Sequence, residues 1–404
     1  MAAHDNHFDI IIAGGGMIGT SLALALAPLR LRVAVVEPIE RAAAEQPSFD
    51  DRSTALSRSS QRMFEAMGLW EEIVAAATPI TRIHVSDRGR FGFSHIDAAE
   101  QGVEALGYVV INRVLGTVLQ NALGDVGSID MFCPAQIQAA SLSPDAAKVT
   151  LDDGTELSAD LLVAADGTNS VVREMIGIEV GQEGYGQRAI IGNLLPEKPL
   201  DGLAYERFTE QGPFALLPVA DSRAAFVWNV REDDADSVLA LSDDDCLEAL
   251  QQVFGYRQGR FSRIGKRSSY PLVLSKAFRL TAQRAVLVGN SAHGLHPAAA
   301  QGFNLGLRDV AALCDCIVEA PSDAGDAELL KRYAAWRKSD QQKLVGFTDG
   351  LVKLFGRVGP PTRILRDIGM LGFDLVPGVR SVFAKHTMGL AGRLPRLSRG
   401  VPLA

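Results

Sequence analysis

Phe8-Asp-Ile-Ile-Ile-Ala13, followed at once by Gly14-Gly-Gly-Met-Ile-Gly19, decides the fold of this chain. The first six residues are an apolar run rich in β-branched side chains, too short for a helix and suited to a buried parallel strand. Thr20 to Leu29 is rich in Ser, Leu and Ala and reads as a helix. Val33-Ala-Val-Val36 is a second buried strand, and Glu37 stands at its end. Strand, glycine turn, helix, strand and acid form the dinucleotide fingerprint. In it Gly14 makes the tight turn, Gly16 admits a pyrophosphate to the backbone, and Gly19 lets helix and strand pack closely. The helix N-terminus offers N–H groups and a partial positive charge to that pyrophosphate. Glu37 is placed for the ribose hydroxyls, where a carboxylate repels a 2′-phosphate, so this unit expects FAD or NAD rather than NADP.

The 404 residues allow two to three domains, and 47% hydrophobic content is enough for a full core. A net charge of −8 argues against a nucleic-acid partner. Cys133, Cys246, Cys314 and Cys316 form no CxxC pair, which suits reduced structural thiols in a cytoplasm rather than a disulfide framework or a zinc site. The N-terminal residues lack the basic start of a secretory signal, and no apolar run has the length of a spanning helix. The expectation is a cytoplasmic protein, soluble or peripheral at a membrane.

Further along, Ser53 or Thr54 is expected to cap a helix that runs to about Met67 and stops at Gly68. Arg52 then lies beside a helix start, either as a charge partner for cofactor phosphate or paired with Asp50 or Asp51. Arg113, opening the helix after Val109-Val-Ile111, has the same two readings: a phosphate contact or an exposed structural arginine. Lys148 to Leu151 and Thr155 to Leu157 read as a hairpin leading into the buried strand Asp160 to Ala165. That strand ends in Asp166-Gly167-Thr-Asn-Ser170-Val-Val-Arg173, a polar cluster facing the same crevice, in which Asp166 is also a plain capping residue. From Ile178 to Pro271 short alternating segments predict an antiparallel sheet inserted before the first domain resumes, with Ser242 to Phe254 as its clear helix. Arg284 to Val288 is the returning strand, ending in Gly289-Asn290. A loop of small residues then runs through His293, His296, Pro297 and Gln301 into a helix starting near Gly302. That helix start would stabilise the negative charge of a reduced flavin, which favours FAD over NAD.

Three spaced motifs, Gly14-x-Gly-x-x-Gly19, Asp166-Gly-x-x-Ser-x-Val-Arg173 and Gly289-Asn…His293…Pro297…Gln301-Gly-x-Asn304, together resemble the class A flavoprotein aromatic hydroxylases. Phe49-Asp-x-Arg52, Tyr205-Glu-Arg-Phe-Thr209 and Gln301-Gly-Phe-Asn-Leu-Gly-Leu-Arg-Asp-Val310 are similar to the ubiquinone-biosynthesis branch of that class. The resemblance implies an α/β fold with an α+β substrate domain, as in p-hydroxybenzoate-hydroxylase-like flavoproteins. A Rossmann-like FAD domain (1–75, 97–177, 276–345) would carry an inserted substrate domain (76–96, 178–275) and a helical basic tail (346–404). Gly14, Gly16, Gly19 and Glu37 would hold the ADP half of FAD, and Arg52 and Arg113 its ribityl and phosphate region. Asp166, Gly167 and Arg173 would serve both FAD and the passing NAD(P)H. Gly289 and Asn290 would meet the ribityl chain, and Gln301, Gly302, Phe303 and Asn304 the flavin pyrimidine. His296 and Pro297 would border the phenol, His296 either assisting its deprotonation or simply packing.

The implied reaction is hydroxylation by O2 of a polyprenylated phenol, 2-polyprenyl-6-methoxyphenol. Another ring carbon or a small soluble aromatic is the alternative within the fold, and a flavin-poor scaffold in a quinone-biosynthesis complex is the alternative outside it. Two positions depart from the class: Asn290 stands where most members have Asp, and Ala300 replaces a glycine. If position 300 needs a positive φ, alanine there costs roughly 1 kcal/mol. The tail carries Arg357, Arg363, Arg366, Arg380, Lys385, Arg393, Arg396 and Arg399 among apolar residues. This pattern reads either as a contact with anionic lipid or an assembly partner, or as a helical cap on the FAD domain.

Overall fold

The computed structural model describes residues 6–40, 52–88, 93–209, 211–294, 302–320, 322–356 and 377–404. His296, Pro297, Ala300 and Gln301, together with Asp50, Asp51, Arg357, Arg363 and Arg366, lie outside these residues.

The chain opens with β1 (His7–Ala13), α1 (Met17–Leu26) and β2 (Val33–Val36). The expected helix to Leu29 ends at Leu26, because Pro28 has no N–H to continue it and residues 27–29 tighten into a 3-10 turn. Next come β3 (Ser53–Ser57), α2 (Arg58–Ala66), α3 (Trp70–Val74), β4 (Thr78–Ile80), β5 (Arg82–Asp87) and β6 (Phe93–Asp97). Neither Ser53 nor Thr54 caps α2. Both lie in β3, which pairs with β7 (Gly107–Ile111), and Ser57 caps the helix by accepting from the Ser60 N–H. Arg52 therefore precedes a strand, not a helix.

After α4 (Asn112–Gly124) and β8 (Ile129–Phe132) come β9 (Ile137–Leu142), β10 (Ala147–Leu151) and β11 (Glu156–Ala164). The two segments expected at 155–157 and 160–165 are one strand. It hairpins with β10 at its start and is fully buried between β1 and β19 (Ala285–Leu287) at its end. Then follow α5 (Val171–Met175), β12 (Val180–Pro196), β13 (Leu203–Thr209), β14 (Gly212–Pro218) and β15 (Ala224–Arg231). The insert continues with α6 (Ala235–Leu239), α7 (Asp243–Phe254), β16 (Phe261–Ile264) and β17 (Ser268–Ala277). The remaining elements are β18 (Thr281–Ala282), β20 (His293–Gly294), α8 (Gly302–Val318), α9 (Ala327–Gly356) and α10 (Pro377–Thr387).

Two large sheets organise the molecule. In the first, β18-β19-β11-β1-β2-β8 run in that order, and β19, β11, β1, β2 and β8 are mutually parallel. Ile10, Ile11, Ile12, Leu161, Leu162 and Val163 are all inaccessible to solvent, as expected of strands covered on both faces. The second sheet runs β20-β17-β12-β15-β14-β13-β5-β6, with β16 beside β12. Its outer face packs Ile190, Phe214, Phe226 and Trp228 under α6 and α7. A small sheet, β3-β7-β4, joins the two. There Ala55, Ile80, Val109 and Ile111 meet Ala204, Leu217 and Ala225 from the inner face of the second sheet. The C-terminal residues close on the first domain, with Leu397 and Leu403 buried in its core.

Candidate FAD and substrate site

Four parallel strands end at one edge. β1 runs into Gly14, β2 into Glu37, β11 into Asp166 and β19 into Gly289, and backbone bonds tie these ends together. Gly14 N–H donates to Val36 O at 2.8 Å, Ala165 N–H to Ala13 O at 2.8 Å and Val288 N–H to Ala164 O at 3.0 Å. This is the carboxyl-edge crevice where open α/β sheets bind ligands.

The glycine turn is built for close approach. Gly14 has φ +103°, and a Cβ there would stand 2.6 Å from Ala165 O; a Cβ on Gly19 would overlap Gly14 O. Gly16 caps α1 in an extended conformation, and no acidic residue occupies the first turn of the helix, so its N–H groups face the crevice without a competing anion. Glu37, 9% exposed, does more than await a ribose. Its Oε2 accepts from Gly15 N–H at 2.6 Å and its Oε1 from Ile39 N–H at 3.1 Å, so the carboxylate also holds the turn.

At the end of β11, Asp166 accepts from the Ser170 hydroxyl and from Val172 N–H at 3.1 Å. Burial raises its carboxyl above the usual range, against the pull of those two donors. Ser170, not Asp166, is the cap of α5 and accepts from Arg173 N–H at 3.0 Å. Gly167 takes φ +88° in the turn between them. Arg173 is 2% exposed, and its Nη1 donates to Thr168 O and Ser291 O, both at 3.0 Å. It therefore braces the 166–173 loop against the 289–291 turn. Asn290, in that turn, is exposed, while Gly289 (φ +64°) donates its N–H to Asp309 Oδ2 at 2.9 Å.

α8 begins at Gly302 with its start at the same crevice and no acid in its first turn. Phe303 packs on the main core. The Asn304 side chain is held by the 55–60 segment: Oδ1 accepts from Ser57 N–H at 2.8 Å and the Ser60 hydroxyl at 2.7 Å, and Nδ2 donates to Ala55 O at 2.8 Å.

Behind the crevice lies a buried charge network that the sequence reading missed. Asp309, fully buried, receives Arg337 Nε at 2.6 Å, pairs with His293 Nε2 at 2.6 Å and takes the Gly289 N–H. Burial by itself raises the carboxyl, but His293 and Arg337 carry it down to about 2. Asp340 joins Arg337 to Arg308 at 2.5 and 2.9 Å. The available signal was the pair Arg308-Asp309 inside the apolar helix that runs on to Ile317.

Between the two domains lies a cavity of ≈ 1370 Å³. Arg52 and Arg113 reach it from the first domain, the Arg52 guanidinium sitting 4.8 Å over the Tyr270 ring. Ile111, Ile191, Leu217 and Val227 supply an apolar wall, and Arg263 and Lys266 a cationic rim. The glycine cradle, the two acid-free helix starts and the buried brace fit the chemistry of FAD at this edge, since they offer backbone N–H groups and close approach to a dinucleotide.

Comparisons with known proteins agree. The profile of the FAD-binding-domain family matches residues 7–348. Ubiquinone hydroxylase UbiL of Rhodospirillum rubrum is 37% identical over 99% of this chain and 94% of its own length. The 3-demethoxyubiquinol 3-hydroxylase of Escherichia coli is 31% identical over 95% of this chain and 98% of its own. Among solved structures, p-nitrophenol 4-monooxygenase PnpA from Pseudomonas putida superposes with a TM-score of 0.78 over 95% of this chain and 98% of its own, at 16% identity, so it speaks for the fold. The chain belongs to the FAD-binding-domain family, as an FAD-dependent aromatic monooxygenase related to the ubiquinone hydroxylases.

Proposed function

We propose that the protein hydroxylates the ring of a polyprenylated phenol on the route to ubiquinone, with NAD(P)H as reductant and O2 as oxygen donor, and that 2-polyprenyl-6-methoxyphenol is the compound it takes. One observation carries the reading: Gly14, Asp166 and Gly289 gather at the carboxyl edge of the first sheet, and Arg52 and Arg113 of the same domain line an apolar-walled cavity under the second sheet. FAD, when bound, supplies the two-electron transfer and the activation of oxygen. The protein's own residues bind, orient and dry the reactants. Ile111, Ile191, Leu217 and Val227 hold the ring and shed water from it. Arg52 and Arg113 attract the phosphates of FAD and of the passing nicotinamide nucleotide, and the loop of Asp166, Gly167 and Arg173 serves both through its backbone and the hydrogen bonds that shape it. His296 and Pro297 border the phenol, and Gln301 to Asn304 meet the pyrimidine edge through their backbone.

The basic stretch beyond Gly356 fits the same reading, as a contact with anionic lipid or with partners of a quinone-biosynthesis complex. Among the described residues no helix is long and apolar enough to cross a membrane, and a polyprenyl chain must be met at the bilayer surface. Replacing Arg357, Arg363 and Arg366 by alanine should reduce flotation with anionic liposomes, and equal flotation removes this role.

Deletion of the gene followed by mass spectrometry of the accumulated prenylphenol is the direct test. Accumulation of a ring one hydroxyl short identifies the reaction and the carbon; an unchanged quinone profile overturns the reading. Flavin absorption of the purified protein separates an enzyme from a scaffold.

A further inference from the structure

One register row crosses the second sheet from β5 to β17: Val85, Glu206, Ala215, Val227, Ile191, Ser268. Residues paired across a sheet point to the same side. Ile191, Val227 and Ser268 line the interdomain cavity. Glu206 thus stands on the same face of the sheet as these lining residues, outside the cavity wall itself and two strand spacings or roughly 10 Å from Val227. Its neighbours in the chain point the other way: Tyr205 stacks on Phe254 with ring centroids 5.0 Å apart, and Arg207 donates to Phe254 O at 2.6 Å.

A carboxyl in this row has no packing reason to be there. β14 presents Pro213, Ala215 and Leu217 on this face, and β5 presents Ile83, Val85 and Asp87. Asp87, in the next row opposite Phe208, is therefore the charged group these two strands place beside it, and its charge is of like sign. α9 runs against β13 and β14. Glu206 is half-buried, and its carboxyl makes no hydrogen bond or ion pair to the described residues. Burial pushes it up to about 8. A carboxyl on this inner face with no partner among the described residues costs stability and is relieved when a ligand brings one.

We propose that Glu206 accepts the hydroxyl proton of the bound phenol, an inference that rests on the phenol-hydroxylase reading above. The phenol O–H bond breaks, its electron pair stays on oxygen, and a new O–H bond forms on a Glu206 carboxyl oxygen. The phenolate so formed is the more nucleophilic ring. After one oxygen atom is added, the ring C–H bond breaks with its electron pair kept by the ring, and that proton goes to the other atom of O2, which leaves as water. The held proton returns from Glu206 to the ring oxygen that gave it, restoring the carboxylate with no net proton change. A phenol ionises near 10 and an ordinary glutamate near 4, a mismatch that burial of Glu206 narrows to about two pH units.

The test compares the FAD-loaded wild type with Glu206→Gln and Glu206→Leu. With 2-methoxyphenol carrying a short prenyl chain as substrate, Glu206→Gln should form product about 100-fold more slowly. FAD content should be unchanged, the rate of the wild type should rise through pH 8, and that rise should be lost in Glu206→Gln. A readout without turnover uses 2-methoxy-4-nitrophenol, whose phenolate is coloured. Its band should appear at least one pH unit lower when bound to the wild type than when bound to Glu206→Leu. Identical pH profiles and identical band midpoints in all three proteins overturn the proposal. A wild type that hydroxylates no phenol overturns the wider reading instead, and the coloured probe still reports on Glu206.

Discussion

Arg337 donates from Nε to Asp309 Oδ1 at 2.6 Å, and neither side chain is accessible to solvent. This pair stands directly behind Gly289, whose N–H the same carboxylate accepts. Removing one partner leaves the other charge buried without compensation, at a cost of about 3–5 kcal/mol. Arg337→Met should therefore lower stability by that amount in urea unfolding and weaken FAD retention through the 289–291 turn. The pair also sets an acid limit. Asp309 is held at about 2 in the fold, below its unfolded value, so its contribution is present above pH 4 and is lost as pH falls towards 2. That limb, on the order of 2 kcal/mol, should be missing from the stability profile of Asp309→Asn.

Two glycines with positive φ should answer alanine substitution differently. At Gly14 (φ +103°) the added Cβ meets Ala165 O at 2.6 Å, whereas at Gly68 (φ +74°) nothing lies within 4 Å. Gly68→Ala carries the left-handed backbone penalty alone, about 1 kcal/mol, and keeps its flavin. Gly14→Ala must also push two strand ends apart at the nucleotide edge. It should lose bound FAD on gel filtration; retention equal to that of Gly68→Ala would show that the turn is not the cradle.

How much of this was legible follows from how local each signal is. The β1-turn-α1-β2 unit is read from adjacent residues, because apolar runs and glycine spacing are properties of a short window. The cap of α2 is not: Ser53, Thr54, Ser57, Ser59 and Ser60 all suit an N-cap, and the pairing of β3 with β7 decides that Ser57 takes it. The Asn304 side chain pins Ser57 and Ser60, about 245 residues earlier in the chain, a contact that no local window announces. Asp309 with Arg337, and Glu206 in its row, depend on helix packing and strand register, which no single stretch encodes.

His84 predicts a second pH dependence, far from the nucleotide. It is 2% exposed, with Nδ1 2.8 Å from His95 Nε2 and Nε2 3.3 Å from Arg257 Nη1. Burial first, then Arg257 and His95, lowers it to about 4. The folded state therefore binds fewer protons at this site than the unfolded chain between pH 6.5 and 4, and stability falls as pH drops through that window. The loss is about 3 kcal/mol if the whole shift is expressed. Urea midpoints of wild type and His84→Gln should converge as pH is lowered from 7 to 4; parallel lines would place the shift elsewhere.

The described residues of the chain end pack on the FAD domain. Arg308, 8% exposed, donates to Gly389 O at 3.1 Å and Ala391 O at 3.0 Å, and Arg393 lies 4.1 Å over the Trp336 ring. Asp315 accepts from Arg396 N–H at 3.0 Å, and Leu397 and Leu403 are buried. These residues cap the FAD domain. A chain ending at Met388 loses two buried leucines, at 1.5–3 kcal/mol each, and leaves Arg308 short of two acceptors, so it should be less stable by roughly 5 kcal/mol. Urea unfolding of the shortened chain beside the full one measures this. Because Arg308 shares Asp340 with Arg337, the shortened chain should also release FAD more readily, by the route that Arg337→Met opens from the other side. An unchanged urea midpoint would mean that the cap adds nothing to the domain and that its arginines are free for another surface.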